Sequence, residues 1–156
     1  MIDVTIPGYG HLKLKYLVMD YNGTIAIDGR LIPGVAERLT NIRRILDIHV
    51  VTADTFGLAH AQLSSLPVNL NILKSGDQAT QKLSYVTRLG SVFTVAIGNG
   101  RNDRYMLNHA KLGIALIQQE GSFWKTMSNA DIVMTDINSA LDLFTNQKRL
   151  IATLRS

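Results

Sequence analysis

The chain has 156 residues, 46% hydrophobic and 18% charged, a balance that is typical of a folded globular protein and excludes a disordered one. It contains no cysteine, so disulfides and thiolate metal sites are excluded. The net charge is +4, but the basic residues are scattered, without the long runs or interleaved aromatic residues typical of nucleic-acid binding. No signal peptide and no apolar stretch of ~20 residues are visible. We therefore expect a single cytoplasmic domain over residues 1–156, with no membrane or nucleic-acid partner.

The first residues alternate between apolar and polar, with Ile2, Val4 and Ile6 preceding a glycine-rich turn at residues 7–10. This pattern predicts an N-terminal hairpin, continuing to residue 19, that is added to the main fold. Short apolar runs follow, and runs of this kind are typical of strands buried on both faces of a parallel sheet. They cover residues 16–19, 48–51, 92–97, 112–117 and 132–134.

Apolar residues at helical spacing mark the segments between these runs. The three predicted helix faces are Val35, Leu39, Ile42 and Leu46; Phe56, Ala59, Leu63 and Leu66; and Ala79, Leu83, Val86 and Leu89. We also expect a weaker strand near residues 68–73, closing helices over 137–154, and packing of Phe123 and Trp124 against the sheet. Strands that alternate with helices predict an α/β fold, a doubly wound, Rossmann-like three-layer sandwich with a mainly parallel sheet.

Polar residues suited to chemistry lie at the ends of these segments. Asp20 follows the run 16–19 and precedes Asn22-Gly23-Thr24, Thr52 follows the run 48–51, Lys82 opens the third helix, and residues 98–103 follow the run 92–97. The carboxyl ends of parallel strands share one edge of the sheet, where open α/β proteins bind ligands, so we expect these groups to converge. A carboxylate, a hydroxyl, a lysine and a Gly-rich acidic loop at one edge indicate phosphoryl transfer.

The order Asp-x-Asn-Gly-Thr, strand-end Thr, Lys and Gly-Asn-Gly-x-Asn-Asp resembles the four motifs of the haloacid dehalogenase (HAD) superfamily. The last motif is similar to the loop of P-type ATPase phosphorylation domains, and the whole chain resembles the small soluble P-type-ATPase-like HAD proteins. The resemblance implies a HAD-type fold. It also implies a Mg²⁺-dependent hydrolase, a phosphatase or phosphotransferase, that forms an aspartyl-phosphate from a phosphorylated substrate.

The resemblance further implies a role for each matching residue. Asp20 would be the nucleophile and a Mg²⁺ ligand, and the backbone carbonyl of Asn22 would be a second ligand. Thr52 would hydrogen-bond a phosphoryl oxygen. Asp103 would complete the metal site with the help of Asn99, and Asn102 is a further candidate.

The lysine of the family pattern has two candidates. Lys82 precedes Tyr85 and Val86 in a way that resembles the lysine-bearing helix start of the family, so we expect it to neutralise the charge of the nucleophile and the phosphoryl group. Lys74, after the strand predicted near residues 68–73, is the alternative. A solvated surface charge is the structural alternative for either lysine.

Two departures from the family pattern bear on activity. Most HAD phosphatases carry a general acid/base aspartate two residues after the nucleophile, but Asn22 occupies that position, and an amide cannot exchange a proton at neutral pH. General acid–base catalysis contributes ~10²–10⁴-fold, so we expect slow hydrolysis. Asn99 stands where the last motif usually has aspartate, which predicts weaker Mg²⁺ binding unless Asp54 or Asp77 reaches the site.

No segment is long enough to form a cap domain. Residues 24–33 leave room for a short flap only, with Asp28-Gly29 as its turn. An open site of this kind accepts large substrates or is closed by a neighbouring subunit, so a homo-oligomer is one expectation, with Ile2, Val4 and Ile6 as a contact edge. The alternative function is a non-catalytic regulatory module that binds phosphate or Mg²⁺ in the same cleft.

Overall fold

The structure is a computed structural model that describes residues 1–54 and 57–156. Its strands are β1 (Ile2–Ile6), β2 (Gly10–Leu14), β3 (Tyr16–Met19), β4 (Ala26–Ile27), β5 (Arg30–Leu31), β6 (Asp47–Thr52), β7 (Asn69–Ile72), β8 (Thr94–Gly98), β9 (Leu112–Leu116) and β10 (Ile132–Met134). Its helices are α1 (Val35–Ile42), α2 (Leu58–Leu63), α3 (Gln78–Leu89), α4 (Arg104–His109), α5 (Trp124–Ser128), α6 (Ile137–Thr145) and α7 (Gln147–Leu154).

The central sheet has six parallel strands in the order β10-β9-β8-β3-β6-β7. Strand β3 lies in the middle, and its last residue, Met19, pairs with Val50 of β6 on one side and Ile97 of β8 on the other. The residues that follow β3, β6 and β8 therefore meet at one edge of the sheet. The predicted doubly wound α/β fold with a mainly parallel sheet is confirmed.

Alternate residues of the central strands enter two separate apolar cores, because successive side chains of a strand point to opposite faces. Leu17 and Met19 of β3 join the hairpin, α1 and α6 in the larger core. Val18 lies on the other face with Val86 of α3 and Met106 of α4. The sheet is thus covered on both sides, which gives the predicted three layers.

The N-terminal hairpin is present, but it ends earlier than the sequence predicts. Strands β1 and β2 form their own antiparallel pair, and the backbone changes partners at Lys15. The Lys15 N–H donates to the Phe93 carbonyl, and its own carbonyl accepts from the Asp47 N–H, both at 2.8 Å. Ile2 and Ile6 are fully buried in the core of this same chain, so their side chains are not available as an oligomer contact.

The structure confirms the predicted flap but not the predicted packing of Trp124. Strands β4 and β5 form the short predicted flap, whose turn residue Asp28 has a φ of +51°. Trp124, by contrast, is 70% exposed, so its expected packing against the sheet was wrong. Helix α5 buries Thr126 instead, because the Thr126 hydroxyl donates to the Gly100 carbonyl at 2.7 Å. The predicted packing position Phe56 lies outside the described residues.

Strand β8 begins two residues later than the apolar run 92–97 indicates, because residues 91–93 form a 3₁₀ turn. Ala59 and Leu63 form the buried face of α2 as predicted. Within residues 1–54 and 57–156, no helix combines the length and the apolar character needed to cross a membrane.

Substitution of Ile6 tests whether the hairpin shares the main core, as a single domain requires. We expect Ile6→Ala to lower the free energy of unfolding by about 2–4 kcal/mol, because it removes a fully buried side chain. The matched control, Ile72→Ala, alters an isoleucine that is 47% exposed and should cost less than about 1 kcal/mol. Chemical denaturation measures both. Equal losses, or a separate transition for the hairpin, would contradict the expectation.

Candidate active site

A buried ion cluster around Lys82 lies at the carboxyl edge of the sheet. The Lys82 side chain is 1% exposed, and its Nζ donates to Asp20 Oδ1 at 2.7 Å and to Asp103 Oδ1 at 2.6 Å. A third, longer hydrogen bond of 3.4 Å reaches Asn102 Oδ1. One ammonium group therefore joins the residue after β3 to the loop after β8. We refer to Lys82, Asp20 and Asp103 as the ion cluster.

Helix α3 aims Lys82 into the site. Asp77 caps the helix by accepting from the N–H groups of Ala79 and Thr80 at 3.0 and 3.3 Å. Lys82 lies three residues after Ala79 and four before Val86, so these three residues share the buried face of the helix. The structure thus places Lys82 against Asp20, whereas Lys74 is exposed and does not line the cavity that Asp20 lines.

The ion cluster contains two carboxylates and one ammonium group. The pKa values of Asp20 and Lys82 are both shifted. Burial raises the pKa of Asp20 from about 3.8 to about 6, and the nearby Asp103 carboxylate acts in the same direction while Lys82 opposes it. Burial by itself lowers the pKa of Lys82, but the two carboxylates outweigh it and the net shift is upward. The shift therefore favours the charged form of Lys82, and the pKa of Asp20 is raised toward neutral pH.

Asp103 is held from two directions. Its Oδ1 accepts from Lys82, and its Oδ2 accepts from the N–H groups of Asn99 and Gly100 at 2.9 and 2.8 Å. A Cβ atom at Gly98 would lie 2.5 Å from Asp103 Cγ, so only glycine fits there. Asp103 is fully buried and does not line the cavity at Asp20. Its carboxylate orients Lys82 and the loop, and its place among the metal ligands stays a prediction.

Asn99 connects the first and last motifs. Its Oδ1 accepts from the Thr24 hydroxyl at 3.3 Å, and its Nδ2 donates to the Gly121 carbonyl at 3.0 Å. Gly23 approaches this amide with a φ of +77°, and a Cβ atom there would lie 2.3 Å from Asn99 Nδ2. The contact therefore requires both the small size and the left-handed backbone of glycine.

A cavity of about 290 Å³ opens above Asp20. The predicted site residues that line it are Asp20, Asn22, Thr52 and Asn99. Asn102, from the predicted 98–103 loop, also lines it, whereas sequence reasoning did not single out the lining residues Gln78 and Glu120. Gln78 follows the helix cap, and its Oε1 accepts from Asn102 Nδ2 at 2.7 Å. Glu120 follows β9 in a loop without a recognisable motif, so no sequence signal marks it.

Two other carboxylates that the sequence analysis considered have structural partners. Asp54 lines the cavity, but its two oxygens accept from the N–H groups of Ala59 and His60 at 2.8 and 3.3 Å. Asp77 caps α3 and lines a neighbouring cavity of about 710 Å³ together with Arg101 and Arg104. Asp54 therefore lies at the site, with both of its oxygens hydrogen-bonded to the start of α2. Asp77 does not line the cavity at Asp20.

The donor atoms at the cavity suit a hard divalent cation. Asp20 offers a carboxylate, and Asn99 and Asn22 offer amide and backbone oxygens. In the part of the chain that the structure describes, no group of three or more His, Cys, Asp or Glu residues is placed to hold a metal ion. Mg²⁺ fits such a site, since it binds through one or two carboxylates and retains several waters.

The titration of Asp20 gives a pH prediction for the metal-free protein. The folded state holds the Asp20 proton more tightly than the unfolded state, because folding raises its pKa to about 6. The contribution of Asp20 to stability is therefore present below about pH 4 and is lost as the pH rises through about 6.

We expect Asp20→Asn to gain stability over the wild type across this interval, reaching about 1–3 kcal/mol at neutral pH. Chemical denaturation with a chelator at several pH values measures the difference. Asp28→Asn, in the exposed flap turn, is the control for removal of a charge. A stability difference between Asp20→Asn and wild type that does not change with pH would contradict the prediction.

Two archaeal proteins are similar to this chain in sequence. "Uncharacterized protein MJ0073" of Methanocaldococcus jannaschii is 54% identical over 61 residues, which span 39% of this chain and 66% of that protein. "Uncharacterized protein MJ0072" of the same organism is 46% identical over 39 residues, which span 25% of this chain and 89% of that protein. No protein-family model matches the chain. These relatives carry no assigned activity.

Solved structures of HAD phosphatases share the fold. The 3-deoxy-D-manno-octulosonate 8-phosphate phosphatase of Moraxella catarrhalis, solved with magnesium, phosphate and KDO, has a TM-score of 0.70 at 15% identity over 91% of this chain and 94% of that one. The cobalt-bound enzyme of Haemophilus influenzae has a TM-score of 0.72 at 10% identity over 92% and 94%. A putative HAD superfamily (subfamily III A) hydrolase from Legionella pneumophila has a TM-score of 0.72 at 14% identity over 90% and 87%. The chain therefore shares the fold of these HAD proteins.

Proposed function

We propose that the chain is a Mg²⁺-dependent phosphoric monoester hydrolase of the HAD type that works through an aspartyl-phosphate on Asp20. The observation that carries the proposal is the pairing of the buried Lys82 with Asp20, which lines the cavity. The magnesium and phosphate in the Moraxella structure support the same chemistry for this fold. The absence of a membrane-crossing helix within the described residues is compatible with the cytoplasmic location that we also propose.

In the proposed reaction, an Asp20 carboxylate oxygen attacks phosphorus as the bond between phosphorus and the substrate oxygen breaks, and the alkoxide that leaves takes a proton from water. Lys82 holds Asp20 in place and offsets the negative charge that gathers there. Thr52, which is 4% exposed at the end of β6 and lines the cavity, would donate its hydroxyl proton to a phosphoryl oxygen. Bound Mg²⁺ would neutralise phosphoryl charge, with Asp20, the Asn22 carbonyl and Asn99 as its protein ligands. Asp103 would contribute by orienting Lys82 and the Asn99 backbone.

A second candidate is a regulatory module that binds phosphate or Mg²⁺ in the same cavity without turnover. The observation that favours it is the replacement of two expected carboxylates by the amides Asn22 and Asn99. The ion cluster argues for the enzyme, because a purely binding site gains little from a buried carboxylate whose pKa is raised to about 6. The two candidates differ in whether Asp20 becomes phosphorylated.

Incubation with Mg²⁺ and acetyl phosphate, followed by acid quenching and intact mass spectrometry, tests the proposed function. We expect one phosphoryl group on the wild type and on the control Asp28→Asn, and none on Asp20→Asn. Acetyl phosphate suits the test because acetate leaves without a proton, so the first step does not depend on a general acid. A wild type that acquires no phosphoryl group at saturating Mg²⁺ would support the binding module.

We also propose that turnover is slow because position 22 carries an amide in place of a general acid. The substitution Asn22→Asp tests this. We expect this substitution to raise turnover of an alkyl phosphate such as glycerol phosphate by at least about tenfold, since it restores a proton donor for the alkoxide. The gain on p-nitrophenyl phosphate should be smaller, because nitrophenolate leaves unprotonated. Steady-state kinetics on both substrates gives the comparison. Equal turnover by wild type and Asn22→Asp on the alkyl phosphate would show that the missing acid does not limit the rate.

A further inference from the structure

Hydrolysis of an aspartyl-phosphate needs a base for the attacking water, and the residue at the expected position, Asn22, cannot accept that proton. The other carboxylates near Asp20 are engaged. Asp54 caps α2 through both oxygens, and Asp103 is bound by Lys82 and by two backbone N–H groups. Among the described residues that line the cavity there is no histidine. Glu120 is the remaining lining carboxylate.

Glu120 is exposed, lines the same cavity as Asp20 and Asn22, and forms no side-chain hydrogen bond or ion pair with any residue that the structure describes. Its carboxylate is thus free to accept a proton from a water in the cavity.

The loop that carries Glu120 is hydrogen-bonded to the segment after Asp20 and to the loop after β8. Gln118 Nε2 donates to the carbonyls of Gly23 and Thr24 at 3.0 and 2.9 Å, directly beside Asn22. On the other side of Glu120, the Gly121 carbonyl accepts from Asn99 Nδ2, and the Ser122 hydroxyl donates to the Asn99 carbonyl at 3.1 Å. Glu120 therefore lies in a segment held against the first and last motifs.

We propose that Glu120 is the general base that releases phosphate from Asp20, in place of the missing aspartate at position 22. The water oxygen bonds to phosphorus as the bond between phosphorus and the Asp20 oxygen breaks, and that electron pair returns to the Asp20 carboxylate. The proton of the water passes to Glu120, and inorganic phosphate is the product. This inference rests on the proposed function, because it requires a phosphorylated Asp20.

The test separates formation of the phosphoenzyme from its decay. The protein is phosphorylated with acetyl phosphate and Mg²⁺, excess reagent is removed by rapid desalting, and the remaining phosphoenzyme is followed by intact mass. We compare wild type with Glu120→Gln, with Glu37→Gln as the matched control, and with Asn22→Asp/Glu120→Gln. Glu37 is the only other glutamate of the chain and lies exposed on α1, away from the cavity.

We expect Glu120→Gln to slow decay at least tenfold while formation is unchanged. Glu37→Gln should behave as wild type, and Asn22→Asp should restore decay in the Glu120→Gln background because it supplies a carboxylate at the usual position. Decay of Glu120→Gln at the wild-type rate would overturn this inference alone. Equal slowing of formation and decay, or no rescue by Asn22→Asp, would also overturn it. A wild type that forms no phosphoenzyme would overturn the proposed function together with this inference.

Discussion

The buried ammonium group of Lys82 is the constraint on which the arrangement of the site depends. A lysine that is 1% exposed is destabilising unless its charge is matched, and two carboxylates at 2.7 and 2.6 Å provide the match. Those carboxylates come from different strands of the sheet, so their pairing with α3 fixes three elements relative to one another. Burial, with the Asp103 carboxylate acting in the same direction, raises the pKa of Asp20 to about 6.

This arrangement favours function at the expense of stability. The ionised form of Asp20 is less stable in the folded protein than in water, because burial and the Asp103 carboxylate both disfavour its charge. Binding of a cation at the cavity would relieve that repulsion, so the cost of ionising Asp20 in the folded protein favours cation binding. The neutral residues Asn22 and Asn99 limit how much negative charge the site holds, so Asp103 is the carboxylate that opposes the ionisation of Asp20.

The sequence predicted most of the framework and the location of the site. The runs that became β3, β6 and β8 are short and apolar, and parallel strands bring their carboxyl ends together, so the convergence of Asp20, Thr52 and the 98–103 loop follows from topology. Contacts set by loop conformation were not predictable. The bonds of Asp103 to Lys82 and to backbone N–H groups depend on a tight turn at Gly98. The exposure of Trp124 and the position of Glu120 follow from the path of the chain after β9, which no local pattern encodes.

The central claim is that Asp20, oriented by Lys82, is a nucleophile toward phosphorus. A crystal structure of the protein with Mg²⁺ and beryllium fluoride, a mimic of the phosphoryl group, tests this claim most directly. The account predicts beryllium bonded to an Asp20 carboxylate oxygen, Lys82 within hydrogen-bond distance of the adduct, and the cation bound beside it. Beryllium fluoride absent from Asp20 at saturating Mg²⁺, or bound elsewhere in the cavity with Asp20 still paired to Lys82 alone, would contradict it.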